Sequence, residues 1–232
     1  MAIVDNIRTL ETAISKYEEQ YQRQPGSVKL LAVSKQQSVE KICQAYESGL
    51  TDFGENYLQE ALEKMQQLKS VVITWHFIGS IQSNKTQAIA SHFDWVHTVD
   101  RLKIAQRLNL QRPESMAPLN VCLQVNLSNE ATKSGVTLDE VKPLALAMTE
   151  LPHIRLRGLM AIPAPTHEFE AQRALFERLH AIYSELNQEL PLKLDTLSMG
   201  MSHDYKAAIA AGSTCVRIGS ALFGPRESRN ES

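Results

Sequence analysis

The chain has 232 residues, 43% of them hydrophobic and 22% charged, with a net charge of −2 at neutral pH. That length allows one large domain or two small ones with a substantial core, and the charge balance excludes the basic excess of a nucleic-acid-binding surface. The opening residues mix acidic and basic side chains where a secretory leader needs an apolar run, and no apolar stretch nears the ~20 residues of a membrane span. Cys43, Cys122 and Cys215 lie far apart in apolar segments. They read as small core residues in a reducing compartment, so a cytoplasmic protein is expected.

Residues 3–24 read as an amphipathic helix, with Ile3, Ile7, Leu10, Ile14 and Tyr17 at helical spacing and Pro25-Gly26 as its stop. A strand is expected over 28–35. Ser38 is placed to cap a helix carrying Val39, Ile42, Cys43 and Tyr46, and Gly49 lies just past its end. A short strand through Phe53 exits at Gly54-Glu55-Asn56. A helix with Leu58, Ala61, Leu62 and Met65 then leads to a strand at 71–78. Next come a helix near 84–92, a strand at 95–99 and a short helix near 101–109. After a looser stretch at 111–118 the rhythm resumes with a strand at 119–127, a helix at 137–151 and a strand at 155–162. A long amphipathic helix spans 168–189. Strands at 194–199 and 214–218 flank a small-residue helix at 205–211, which Gly212 ends.

Such alternation implies parallel strands joined by helical crossovers. About eight βα units in 232 residues suit a closed barrel, for which ~250 residues is typical. The fold class is therefore α/β: a single (β/α)8 TIM barrel domain over 1–232 with an extra N-terminal helix. An open doubly wound sheet would carry a glycine-rich phosphate fingerprint after its first strand, and none is present. The pattern does not choose whether the N-terminal helix plugs the bottom of the barrel or lies along its side.

In a barrel the active site forms at the carboxyl ends of the strands, with a phosphate site often beyond strands seven and eight. Lys35 closes the apolar run Leu30-Leu31-Ala32-Val33-Ser34. Either it marks where that strand meets solvent, or it is a partly desolvated amine able to form a Schiff base with an aldehyde. Gly219-Ser220, after the eighth strand, is either a plain tight turn or a set of N–H and hydroxyl donors suited to a phosphate dianion. On one rim the two make a coherent aldehyde-plus-phosphate site. The other exits are Asn56, His76, Asn126, Met160 and the run Ser198-Met199-Gly200-Met201-Ser202. The histidines do not fall at metal-ligand spacing, so no metal is expected. A polar loop at 129–135 places Lys133 on the same rim, where a solvated lysine and a contact to a departing phosphate are the two readings.

Seven segments carry a resemblance. They are Leu30-Leu31-Ala32-Val33-Ser34-Lys35, Phe53-Gly54-Glu55-Asn56-Tyr57, Trp75-His76-Phe77-Ile78-Gly79, Gln82-Ser83-Asn84-Lys85, Gly158-Leu159-Met160, Ser198-Met199-Gly200-Met201-Ser202 and Val216-Arg217-Ile218-Gly219. In content and order they resemble the pyridoxal phosphate homeostasis protein family, and they span essentially the whole chain. The resemblance implies a barrel related to the N-terminal domain of alanine racemase, a monomer, and pyridoxal 5'-phosphate carried on Lys35. It implies Asn56 beside the pyridine ring and Ser198, Met199 and Ser202 at the phosphate end. Gly219 and Ser220 would be donors to the phosphate, and Arg217 would face the pyridine nitrogen. Where many relatives have threonine, Ser220 keeps the hydroxyl. His76 is either a direct contact or a satisfied histidine behind the site.

The resemblance further implies a role in vitamin B6 supply, with apo-enzymes dependent on pyridoxal phosphate as transient partners. Racemases of the related fold use a second base, a tyrosine from an additional domain, and Tyr57 and Tyr205 do not match it. No catalytic residue is nominated, and the sequence favours a cofactor carrier over a turnover enzyme. A small racemase or lyase using pyridoxal phosphate is the competing reading. A barrel enzyme acting on a phosphorylated ketose would equally need an acid–base partner that is not found.

Overall fold

A computed structural model gives residues 2–127 and 134–225. Helix α1 (Ile3–Gln20) turns Ile3, Ile7, Leu10 and Ile14 into the core. It stops short of the expected residue 24 because Gln22 takes a left-handed backbone, φ 54°. The reversal brings Glu18, only 2% exposed, under the following turn. There its carboxylate accepts the amides of Gly26 (2.9 Å) and Val28 (2.8 Å). A helix carboxylate thus fastens the entry of the first strand.

The strands are β1 (Lys29–Val33), β2 (Asp52–Glu55), β3 (Thr74–Phe77), β4 (Trp95–Val99), β5 (Leu119–Gln124), β6 (Ile154–Met160), β7 (Thr196–Ser198) and β8 (Cys215–Ile218). They pair in parallel in chain order, and β1 closes on β8 with Leu31 opposite Arg217. The crossovers are α2 (Val39–Glu47), α3 (Leu58–Gln67), α4 (Thr86–His92), α5 (Leu102–Gln111), α6 (Leu138–Thr149), α7 (Phe169–Glu189) and α8 (Tyr205–Ala210). A short α9 (Ser220–Phe223) follows β8. This is the expected (β/α)8 TIM barrel. Several strands are shorter than their apolar runs, since the stagger of a closed barrel limits the overlap of neighbours; β7 and β8 pair only at Ser198 and Cys215.

Helix α1 lies along the barrel wall. Asn6 Nδ2 donates to Leu222 O at 2.9 Å, Arg23 Nη1 donates to Ile209 O at 3.0 Å, and the Tyr17 and Tyr205 rings sit 5.9 Å apart.

Strand alternation sorts the side chains. Phe53, Val96, Val121 and Val216 join Ile42, Phe93 and Phe176 in the main core between strands and helices. The opposite face fills the barrel interior. Leu31, Val33, Ile78 and Cys215 form a small separate apolar cluster there, beside buried His76, His97, Ser198 and Arg217. Leu31 and Val33 are followed at the same parity by Lys35, which carries that residue to the barrel mouth.

Candidate functional site

At the carboxyl ends of the strands a cavity of about 240 Å³ is lined by Val33, Lys35, Gln37, Asn56, Ile78, Ile162, Met201, Ser202, His203, Arg217, Gly219 and Ser220. Lys35, Asn56, Ser202, Arg217, Gly219 and Ser220 are therefore brought together as the sequence predicts. Ser198 and Met199 are not on its lining. Both are fully buried, Met199 in the main core and Ser198 in the barrel interior beneath Arg217. Lys133 lies outside the described residues.

Arg217 comes from β8 and is 4% exposed. Its guanidinium donates to Ser198 O (2.6 Å), Ser198 Oγ (2.8 Å) and Ala161 O (3.1 Å). Burial lowers its pKa, and Cys215 and Asp204 oppose that shift. A guanidinium has five N–H donors, so one set of neutral acceptors fixes its plane while its edge meets the cavity. Asn56 adds a second polar handle. Its Oδ1 is buried without a hydrogen-bond partner among the described residues, which suits an acceptor that a ligand must satisfy. At the other end, Ser202 Oγ lies 3.4 Å from both Ser220 Oγ and the Ala221 amide. Two hydroxyls and the start of α9 make a small donor-rich corner. An amine, a buried cation and that corner fit a flat aldehyde bearing a phosphate.

Below this cavity a polar chain runs down the barrel. Ser198 Oγ is 2.7 Å from His97 Nδ1, His97 Nε2 is 2.9 Å from His76 Nδ1, and His76 Nε2 is 2.9 Å from Asp52 Oδ1. Lys29 Nζ donates to the same Asp52 oxygen at 2.7 Å. Burial lowers the pKa of His76 and pushes that of His97 well down, with nearby His76 and Arg217 adding to the second shift. Burial acts to raise the Asp52 pKa, but hydrogen bonds from His76 and Lys29 outweigh it and hold the carboxyl far below its ordinary range. With both rings neutral and Asp52 able only to accept, the network assigns one direction to every bond. Arg217 donates to Ser198, Ser198 to His97, His97 to His76, and His76 to Asp52.

His76 therefore sits behind the site, facing a lower cavity of about 280 Å³ that His97, Trp95 and Arg157 also line. Sequence reading did not find His97 and Asp52, because their partners are scattered over five strands. Gln37 and His203 of the upper cavity were missed as well. Gln37 follows the left-handed turn at Gln36, so the alternation of β1 does not place it.

The family described as alanine racemase, N-terminal domain, matches residues 4–227 of the chain. A pyridoxal phosphate homeostasis protein from Pseudomonas aeruginosa is 56% identical over 225 residues, covering 97% of this chain and 96% of that protein. One of the same name from Pasteurella multocida is 50% identical over 230 residues, covering 98% and 99%. Among solved structures, PipY of Synechococcus elongatus with PLP bound matches with a TM-score of 0.85 at 35% identity, covering 96% of this chain and all of that one. With these matches along its whole length and its closed barrel, the chain belongs to the pyridoxal phosphate homeostasis protein family, built on the barrel of the alanine racemase N-terminal domain.

Proposed function

We propose that this protein binds pyridoxal 5'-phosphate in the upper cavity, holds it as a Schiff base on Lys35, and serves vitamin B6 homeostasis by buffering the cofactor and passing it to apo-enzymes. It works as a single barrel domain, a monomer of the cytoplasm, without catalytic turnover. The observation that carries this reading is the shared cavity of Lys35 and Arg217, with the Ser202 and Ser220 hydroxyls on the same rim.

Pyridoxal phosphate supplies an aldehyde that condenses with an amine, releasing water. Lys35 Nζ is the nucleophile for that carbon. Arg217 faces the pyridine nitrogen and can only donate to it, so the nitrogen stays unprotonated and the ring is a weak electron sink. Asn56 Oδ1 lies beside the ring, and Ser202, Gly219 and Ser220 hold the phosphate. Ser198 and Met199 act from beneath: Ser198 orients Arg217, and Met199 anchors the loop that leads to Ser202.

The reading without turnover rests on the tyrosines, the second base of racemases of the related fold. Among the described residues no tyrosine lines the cavity; Tyr57 is 52% exposed, and Tyr205 packs on Tyr17. No helix among the described residues is long and apolar enough to cross a membrane.

The test is absorbance spectroscopy of the purified protein with added pyridoxal phosphate, beside Lys35→Ala. A visible band that borohydride removes, with the cofactor fixed to Lys35 by peptide mapping, supports the reading. Cofactor transfer to an apo-acceptor without amino-acid turnover completes it. A spectrum without that band overturns it, and saturable turnover of an amino acid would favour a racemase or lyase.

A further inference from the structure

Beyond the end of β1 the chain does something costly. Gln36, directly after Lys35, has a left-handed backbone with φ 58°. A side-chain-bearing residue stays in that region only when its surroundings hold it there. The Gln36 amide donates to Glu60 Oε1 at 2.6 Å. That same oxygen accepts Lys64 Nζ at 2.6 Å. The ammonium also donates to Ser34 O at 2.7 Å and to Glu55 Oε1 at 2.8 Å. Glu55 Oε1 in turn accepts the Ser34 hydroxyl at 2.6 Å. An ammonium has three donors, and Lys64 spends all three on these acceptors.

Both neighbours of Lys35 are thus tied to one ion cluster, contributed by the end of β2 and by α3. Lys64 is 5% exposed, and Glu55 is fully buried. Burying two carboxylates and an ammonium is poor economy for stability alone, since apolar side chains of similar volume do as well or better. The partners explain the arrangement better: a backbone carbonyl, an amide and a hydroxyl from the two residues that bracket Lys35. A nucleophile gains rate when its approach is fixed before the reaction.

We propose that Lys64, Glu55 and Glu60 are positioning residues for Lys35. Their cluster holds the 34–37 turn in its strained form, so that the Lys35 side chain enters the cavity in the orientation that meets the aldehyde. This rests on the Schiff-base reading given above.

The test is the rate at which protein stripped of cofactor forms the borohydride-reducible adduct after pyridoxal phosphate is added. Glu60→Ala is expected to slow that rate about tenfold, because the strained conformer loses its support. Glu60→Gln keeps an acceptor oxygen and is expected within about threefold of the parent. Adding Gln36→Gly to Glu60→Ala is expected to restore most of the rate, because glycine adopts positive φ without penalty. Should Glu60→Ala not fold, Glu60→Asp keeps the charge for Lys64 but falls a methylene short of the Gln36 amide, and slowing is again expected. An unchanged rate in the first or last variant overturns the proposal, as does slowing that glycine does not relieve. A parent protein that forms no reducible adduct overturns the cofactor reading, and the proposal with it. An adduct that forms at equal rates in all variants overturns the positioning role alone.

Discussion

Ser198 Oγ accepts a hydrogen bond from Arg217 Nη1 at 2.8 Å, which leaves its own proton for His97 Nδ1 at 2.7 Å. The hydroxyl joins a guanidinium at the barrel mouth to an imidazole in the interior, accepting from the first and donating to the second. Because Arg217 only donates and Asp52 only accepts, neither ring between them can turn over without breaking the chain. The pair of histidines therefore acts as a fixed strut behind Arg217.

Removing that link leaves His97 Nδ1 a buried acceptor without a donor. Ser198→Ala is expected to cost about 1–3 kcal/mol, the penalty for one unsatisfied buried group, read from urea unfolding. The same variant loosens Arg217, so the absorption band of bound pyridoxal phosphate is expected to move relative to the parent. Unchanged stability and spectrum together would remove the strut from the account.

The buried histidines also predict a pH dependence of stability. Burial holds the folded pKa of His76 and His97 below the ordinary histidine value. The unfolded chain then binds more protons than the folded one as pH falls below about 6.5. Stability from this source is fully present above that pH and is lost as pH falls through the window toward the folded values. Asp52, whose folded pKa is depressed, adds its own loss only in stronger acid. The urea midpoint is expected to fall with acidification from near-neutral pH, and His97→Gln to reduce the slope. A flat profile in the parent would contradict the neutral assignment.

At the phosphate end, Ser202→Ala and Ser220→Ala are each expected to weaken retention of pyridoxal phosphate about fivefold, the worth of one hydrogen bond of about 1 kcal/mol. Equilibrium dialysis measures it. The two sites share a corner at 3.4 Å, so the double variant is expected to deviate from additivity.

Sequence alone exposes the barrel because its apolar runs, caps and glycine stops recur with one rhythm, and because Lys35, Asn56, Arg217 and Gly219 all fall at strand exits. Two things are hidden. Ser198 and Met199 sit in the same motif as Met201 and Ser202, yet only the latter two reach the cavity; the run looks uniform in one dimension, and only the sheet's alternation and the reversal at Gly200, φ 98°, separate them. The interior chain is hidden for another reason. Asp52, His76, His97, Ser198 and Arg217 come from β2, β3, β4, β7 and β8, and only barrel closure brings their side chains within hydrogen-bond reach. Lys64 reads as an ordinary polar residue of an amphipathic helix, because two of its three partners, Ser34 O and Glu55 Oε1, lie in other segments.

Glu18 gives a fold prediction independent of the site. Its carboxylate serves the Gly26 and Val28 amides from within the core. Glu18→Ala strands both N–H groups, and about 2–4 kcal/mol is expected to be lost, since bonds to a charged acceptor are worth roughly twice neutral ones. Glu18→Gln keeps one acceptor oxygen and is expected to lose about half as much. Urea unfolding of both variants checks the order, and equal losses would show that charge alone matters.

Two glycines separate lack of space from backbone strain. A Cβ added at Gly158 would lie 1.7 Å from Thr196 O, its register partner across the β6–β7 pair. No side-chain movement relieves a clash with backbone inside a closed barrel, where every strand is held on both edges. Gly158→Ala is therefore expected to prevent accumulation of folded protein. Gly49, with φ 100°, meets nothing within 4 Å of an added Cβ. Its replacement by alanine is expected to cost only the left-handed backbone penalty, about 1–2 kcal/mol, and to leave a folded protein that still takes up pyridoxal phosphate. Soluble yield and urea midpoints of the two variants distinguish the cases. A folded Gly158→Ala of near-parent stability would mean that β6 and β7 can separate, and that the cavity rests on a looser barrel than its hydrogen bonds describe.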